Sequence, residues 1–223
     1  MGTNLKDKGL TAFSSWSGGK DSCLALHRSL AGGNSVAVLF TMTHESGGFL
    51  RTHGTPGALI ERQAEALGLP VRFASSTWQG YEAAFKEEVA RLKSGGIEAG
   101  VFGDIDLAEH REWIERVCAE MAIEPLLPLW GEKREDLVLE FIDLGYQAMI
   151  VSVREEALSR DWLGKTLDRS TLSALEKRGV DISGEGGEFH TFVYAGPLFR
   201  HAVDFRPGGI EERDGLLRLQ LET

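Results

Sequence analysis

The chain has 223 residues, of which 42% are hydrophobic and 26% charged, the composition of a soluble globular protein. That length allows one large α/β domain, or a nucleotide-binding domain with a smaller companion. A net charge of −10 argues against a broad polyanion-binding face, so a nucleic acid partner is disfavoured. The two cysteines, Cys23 and Cys118, form no CxxC pair, which suggests a reducing compartment. Residues 1–8 have no apolar leader core and no run approaches membrane-spanning length, so a cytoplasmic protein is expected.

In chain order, Thr11–Ser15 reads as a first strand and Asp21–Leu30 as a helix closed by Gly32-Gly33. Val36–Phe40, short and rich in β-branched residues, reads as a second strand. A polar loop follows from Met42 to Thr55, carrying His44 and His53, and Pro56 precedes a helix that runs through Ile60 and Ala64 to Leu67. Val71–Ala74 is a third strand, Tyr81–Leu92 a third helix, Gly100–Asp104 a fourth strand ending in an acid, and Ala108–Met121 a fourth helix. This alternation implies an α/β fold with a doubly wound, mostly parallel five-stranded sheet. Pro125 and Pro128 mark a change of segment. Beyond them come a helix at Arg134–Leu144, a strand at Ala148–Val153, a helix near Thr171–Lys177 and a glycine-rich, strand-like end including Leu217–Leu221. The expected division is a nucleotide-binding domain over 1–128 and a smaller α+β domain over 129–223.

The chemistry concentrates in two places. Ser17-Gly18-Gly19-Lys20-Asp21-Ser22 lies between the first strand and the first helix. Adjacent glycines let backbone N–H groups approach an anion, the helix directs its positive end into the loop, and two hydroxyls and a lysine complete the cradle. The spacing is not that of a Walker loop. Asp21 would repel a triphosphate unless a cation intervened, which fits shared Mg²⁺. Ser17 acting only as a helix N-cap is the plain structural alternative. Asp104, at a strand's carboxyl end where such sheets bind ligands, is a second nucleotide or magnesium candidate. The other cluster, Glu185 to Thr191, is a metal site, an acid–base site or a solvated turn. Strand alternation there sets Glu188, His190 and Phe192 on one face and Phe189, Thr191 and Val193 on the other.

The Ser17–Ser22 loop resembles that of the N-type ATP pyrophosphatases, the PP-loop superfamily. With Phe102-Gly103-Asp104-Ile105, Pro128-Leu129-Trp130, Phe141-Ile142-Asp143-Leu144-Gly145 and Gly184–Val193, the whole chain is similar to the diphthine–ammonia ligase family. The resemblance implies an adenine nucleotide alpha hydrolase-like (HUP) sheet and an ATP-dependent carboxylate–ammonia ligase that releases AMP and pyrophosphate. It implies ATP at Ser17, Gly18, Gly19, Lys20, Asp21, Ser22, Gly103 and Asp104, with the backbone of Leu39 and Phe40 at the adenine edge. Magnesium would be shared with Asp21 and Asp104. The acceptor carboxylate would meet Glu185, Gly187, Glu188, His190 and Thr191, and Lys20, Asp21, Glu185, Glu188 and His190 would carry catalysis. Phe189-His190 stands where eukaryotic and archaeal members have Tyr-Glu, which resembles a bacterial branch and leaves the acceptor unnamed. The alternatives are a PP-loop tRNA-modifying enzyme, against which the charge and the missing CxxC weigh, and a non-catalytic ATP-binding sensor. A homodimer is possible for such a fold.

Overall fold

The computed structural model describes residues 9–45, 50, 54–213 and 215–223. Up to residue 126 the described residues alternate strand and helix: β1 (Thr11–Ser15), α1 (Lys20–Ala31), β2 (Ser35–His44), α2 (Gly57–Leu67), β3 (Val71–Ser76), α3 (Tyr81–Ser94), β4 (Ala99–Val101), α4 (Ala108–Met121) and β5 (Glu124–Leu126). The five strands are all parallel, in the order β3-β2-β1-β4-β5. The order runs outward in both directions from β1, so the topological switch point lies between β1 and β4, and the crevice beyond their carboxyl ends is where such a sheet takes a ligand.

Side-chain alternation along β1 explains the two covered faces. Phe13 joins Phe85 and Val89 of α3 and Ile114 and Val117 of α4 in one buried cluster. Its neighbour Ala12 belongs to the cluster containing Leu24 and Leu26 of α1 and Ile60 and Ala64 of α2. That second cluster continues without a break into the remaining chain, through α5 (Arg134–Asp143), β6 (Gln147–Arg154) and α6 (Arg169–Glu176). β7 (Phe189–Ala195), β8 (Arg206–Arg213) and β9 (Leu216–Glu222) complete a separate antiparallel sheet in the order β7-β6-β9-β8. Among the described residues no helix is long and apolar enough to cross a membrane.

Several expected boundaries move. β2 runs on to His44, so His44 closes a strand instead of sitting in a loop, while His53 lies outside the described residues. β4 stops at Val101, which leaves Gly103 and Asp104 in the loop beyond it. The fifth strand contains Pro125 and pairs only with β4, at the sheet edge where a missing N–H is tolerated. The N-cap of α1 is Gly19, without a side-chain cap, so Ser17 does not cap the helix.

Candidate functional site

A cleft of about 790 Å³ opens at the switch point. It is lined by Ser17, Lys20, Asp21, Ser22, Gly103 and Asp104, and by aromatic side chains from β2, α3 and α4. β7 and the turn before it supply a third wall through Glu185, Gly187, His190 and Thr191.

The loop between β1 and α1 is built by local and long-range bonds together. Gly18 takes φ +76°, a left-handed conformation that favours glycine. The Ser22 hydroxyl donates to the Gly19 carbonyl (3.0 Å), and the Ser17 hydroxyl donates to Ser22 Oγ (3.1 Å). The Gly19 N–H donates to Ser17 Oγ at 3.3 Å. From the far end of the chain, Thr191 Oγ1 accepts the Lys20 backbone N–H (3.1 Å) and the Val193 N–H donates to the Gly18 carbonyl (2.9 Å). Gly103 completes the packing: a Cβ there would lie 2.8–2.9 Å from backbone atoms of Asp21 and Ser22. The loop after β4 therefore touches the first turn of α1 directly.

Charge in the cleft is predominantly acidic. Lys20 is buried, its Nζ 2.7 Å from Asp21 Oδ2 and above the Phe189 ring at 5.9 Å. Asp104 meets His110 Nδ1 at 3.0 Å, and this bond raises the imidazole's pKa. Burial, reinforced by the Asp21 carboxylate and opposed by Lys20, pushes Glu185 up to about 7. A carboxyl held near neutrality among other carboxylates can accept or deliver a proton at physiological pH. Arg134 braces this wall, with a bidentate pair to Asp106 (2.7 Å each) and an ion pair to Asp181, just upstream of Glu185. Among the described residues no group of three His, Cys, Asp or Glu side chains forms a metal site alone. One or two carboxylates facing bound phosphates suit Mg²⁺, which keeps water and phosphate oxygens as its other ligands.

Most of the anticipated residues converge here, but four do not line the cleft. Gly18 and Gly19 form the floor of the loop behind it. Leu39 is fully buried, its N–H donating to the Pro70 carbonyl, and the Phe40 carbonyl accepts from the Trp16 N–H. Both are mid-strand residues because β2 continues to His44, so these two groups are not available to read an adenine edge. Phe40 reaches the cleft, as does Met42 two residues further along the same strand. Glu188 is the fourth: β7 begins at Phe189, and the Glu188 carboxylate packs over Gly186 instead, with Oε2 buried and unpartnered. The alternation beyond it holds, since Phe189 and Val193 join the α1 cluster while Phe192 packs with Leu59 and Val203.

Sequence reasoning missed Arg134, His110, and the pair Trp16 and Gln63. The signal for Gln63 was present: it falls on the apolar stripe of α2 with Ile60, Ala64 and Leu67, where a polar side chain needs internal partners. The cysteines play no part in the cleft. Burial raises the Cys23 thiol far beyond its usual range and pushes Cys118 up to about 12.

The family model described as the diphthamide synthase N-terminal domain matches residues 11–125, and that of the diphthamide synthase C-terminal domain matches residues 133–214. The chain belongs to the diphthamide synthase family. Within this family, the diphthine–ammonia ligase of Homo sapiens is 33% identical over 214 residues, covering 84% of this chain and 79% of that protein. The Rattus norvegicus enzyme is 32% identical over the same length and coverage, and that of Danio rerio 30% identical over 213 residues, with 84% and 83% covered. Among solved structures, one described as a predicted subunit of tRNA methyltransferase from Methanocaldococcus jannaschii gives a TM-score of 0.43 at 14% identity, covering 84% of this chain and 98% of that one.

Proposed function

We propose that the chain is an ATP-dependent amide ligase that adenylates a carboxylate, releases pyrophosphate and transfers the acyl group to ammonia, as the diphthine–ammonia ligases do by name. The observation that carries this is the direct joining of the phosphate-type loop to β7, through Thr191 to Lys20 and Val193 to Gly18. It sets the loop against Glu185 and His190, so that a nucleotide's phosphates and an acceptor share one cleft.

In this scheme the Ser17–Ser22 loop and the N-terminus of α1 hold the β and γ phosphates, and Lys20 neutralises developing charge as pyrophosphate departs. The aromatic side chains take the base. An acceptor carboxylate oxygen attacks the α-phosphorus, and the bond to the bridging oxygen of pyrophosphate breaks. Ammonia then attacks the acyl carbon, the C–O bond to AMP breaks, and the amine's surplus proton leaves through a base. Glu185 suits that last role, being placed on the acceptor wall with its pKa pushed up to about 7 by burial. His190 and Gly187 shape the acceptor's seat, while Glu188 shapes the turn from behind. Magnesium, held by Asp21 and Asp104 together with phosphate oxygens, would supply charge neutralisation that a cleft this acidic needs.

The segment from residue 129 onward forms the acceptor-binding unit and the segment before it the nucleotide-binding unit. The acceptor is a small-molecule or protein-borne carboxylate, the setting is cytoplasmic, and nucleic acid is not the substrate. Thiol chemistry on a tRNA is disfavoured by the burial of both thiols. The test is product analysis with ATP, Mg²⁺, ammonium and a panel of carboxylates. AMP and pyrophosphate appearing only when both acceptor and ammonium are present supports the assignment; ADP and phosphate refute it.

A further inference from the structure

The carboxamide of Gln63 in α2 is fully buried and bonds to three residues in two segments far from it in sequence, the loop after β1 and strand β7. Nε2 donates to the Gly18 carbonyl (3.0 Å) and the Val193 carbonyl (2.6 Å), and Oε1 accepts the Trp16 indole N–H (2.9 Å). These partners fix which way the amide points: reversed, its oxygen would face two carbonyls and its nitrogen an N–H. The Gly18 carbonyl also accepts the Val193 N–H, so both of its lone pairs are used on the β7 side. In a trans peptide the N–H points opposite to the C=O. The Gly19 N–H is thereby turned towards the Ser17 hydroxyl, and it is Ser17 that lines the cleft. The contact between loop and amide is close, since a Cβ on Gly18 would fall 2.6 Å from Gln63 Oε1.

We propose that Gln63 is a positioning residue for the ATP chemistry: its carboxamide locks the Gly18–Gly19 peptide with the N–H held on Ser17 Oγ, so that the Ser17 hydroxyl is set towards the phosphates, and ties that orientation to the acceptor strand β7. The proposal rests on the nucleotide assignment above. A peptide between two glycines rotates at little steric cost, and without Gln63 the Val193 N–H alone would hold the Gly18 carbonyl. The consequence is specific to the polyphosphate. Adenine and ribose, against the aromatic side chains, make no call on this peptide.

The test uses the full chain and two ligands, the α,β-methylene analogue of ATP with Mg²⁺ and AMP, with dissociation constants from titration calorimetry. Gln63→Met keeps the volume and removes all three bonds; Gln63→Glu keeps the shape and, when ionised, has no donor. Each is expected to weaken the ATP analogue tenfold or more and AMP less than twofold. Lowering the pH from 8 to 6 should recover part of the analogue's affinity in Gln63→Glu alone, because a buried carboxyl titrates high and regains an O–H donor. Should the Gln63 variants fail to fold, Trp16→Phe frees only the amide oxygen, and a loss of three- to tenfold for the analogue with AMP unchanged is expected. Equal losses for both ligands, or no loss in a folded variant, would overturn the proposal. If the unmodified chain binds neither ligand, nucleotide binding itself is refuted, and the role of Gln63 with it.

Discussion

Replacing Gly103 by alanine tests whether the loop after β4 sets the position of the phosphate loop. A Cβ at this position would lie 2.8 Å from the Asp21 carbonyl carbon, 2.9 Å from its oxygen and 2.9 Å from the Ser22 nitrogen. All three are backbone atoms in the first turn of α1, so no side-chain rotation relieves the contact. Restoring ordinary contact, which begins at 3.4 Å, requires the two segments to separate by about half an ångström. Overpacking of this kind costs about 1–3 kcal/mol, which for a chain of this size lowers Tm by a few degrees to about 10 °C. Since a misplacement of about 1 Å can cost roughly a hundredfold in rate, half that displacement should cost on the order of tenfold. The assays are thermal unfolding and pyrophosphate release, with Gly209→Ala as control, because its nearest neighbour is a flexible Gln220 oxygen at 3.5 Å. A Gly103→Ala protein with unchanged Tm and unchanged ATP dependence would refute the coupling of these two loops.

Three further outcomes follow from the same geometry. Glu185, raised from 4.5 to about 7 by the fold, contributes stability that is complete below about pH 4.5 and is lost as the pH rises through 7; the Tm of the unmodified chain minus that of Glu185→Gln should therefore fall from pH 5 to pH 8, and a flat difference would contradict the assignment. Thr191→Val removes the acceptor for the Lys20 N–H and should cost about 1–3 kcal/mol for the stranded donor, seen as a lower Tm and weaker ATP binding, whereas Thr191→Ser should retain both; equal effects of the two would contradict it. Asp21→Asn frees Lys20 and removes a proposed magnesium ligand, so the Mg²⁺ concentration giving half-maximal pyrophosphate release should rise about tenfold or more, and an unchanged Mg²⁺ titration would exclude Asp21 from that role.

What could be read in advance divides along range of interaction. The Ser17–Ser22 loop was legible because its glycines, hydroxyls and charges act within six residues, and the β/α alternation around it was carried by local apolar periodicity. β5 was obscured because only three residues pair, one of them Pro125, and only the neighbouring β4 makes an edge position acceptable. The polar composition from Met42 to Thr55 places Leu39 and Phe40 at a strand end, yet pairing with β3 carries β2 through to His44. The joining of Thr191 to Lys20, 171 residues apart, and of Gln63 to Val193, 130 apart, is a tertiary fact that no local pattern encodes. The raised pKa of the Glu185 carboxyl arises from its burial, reinforced by the Asp21 carboxylate from the other end of the chain, which only the tertiary fold brings near.

The central claim is that an acceptor carboxylate attacks the α-phosphorus of ATP. The most direct measurement supplies, with both carboxylate oxygens labelled with ¹⁸O, whichever carboxylate supports turnover with ATP and ammonium, and analyses the products by mass spectrometry. Adenylation followed by aminolysis predicts one labelled oxygen in AMP, none in pyrophosphate and one retained in the amide. Label in inorganic phosphate accompanied by ADP, or AMP without label, would contradict it.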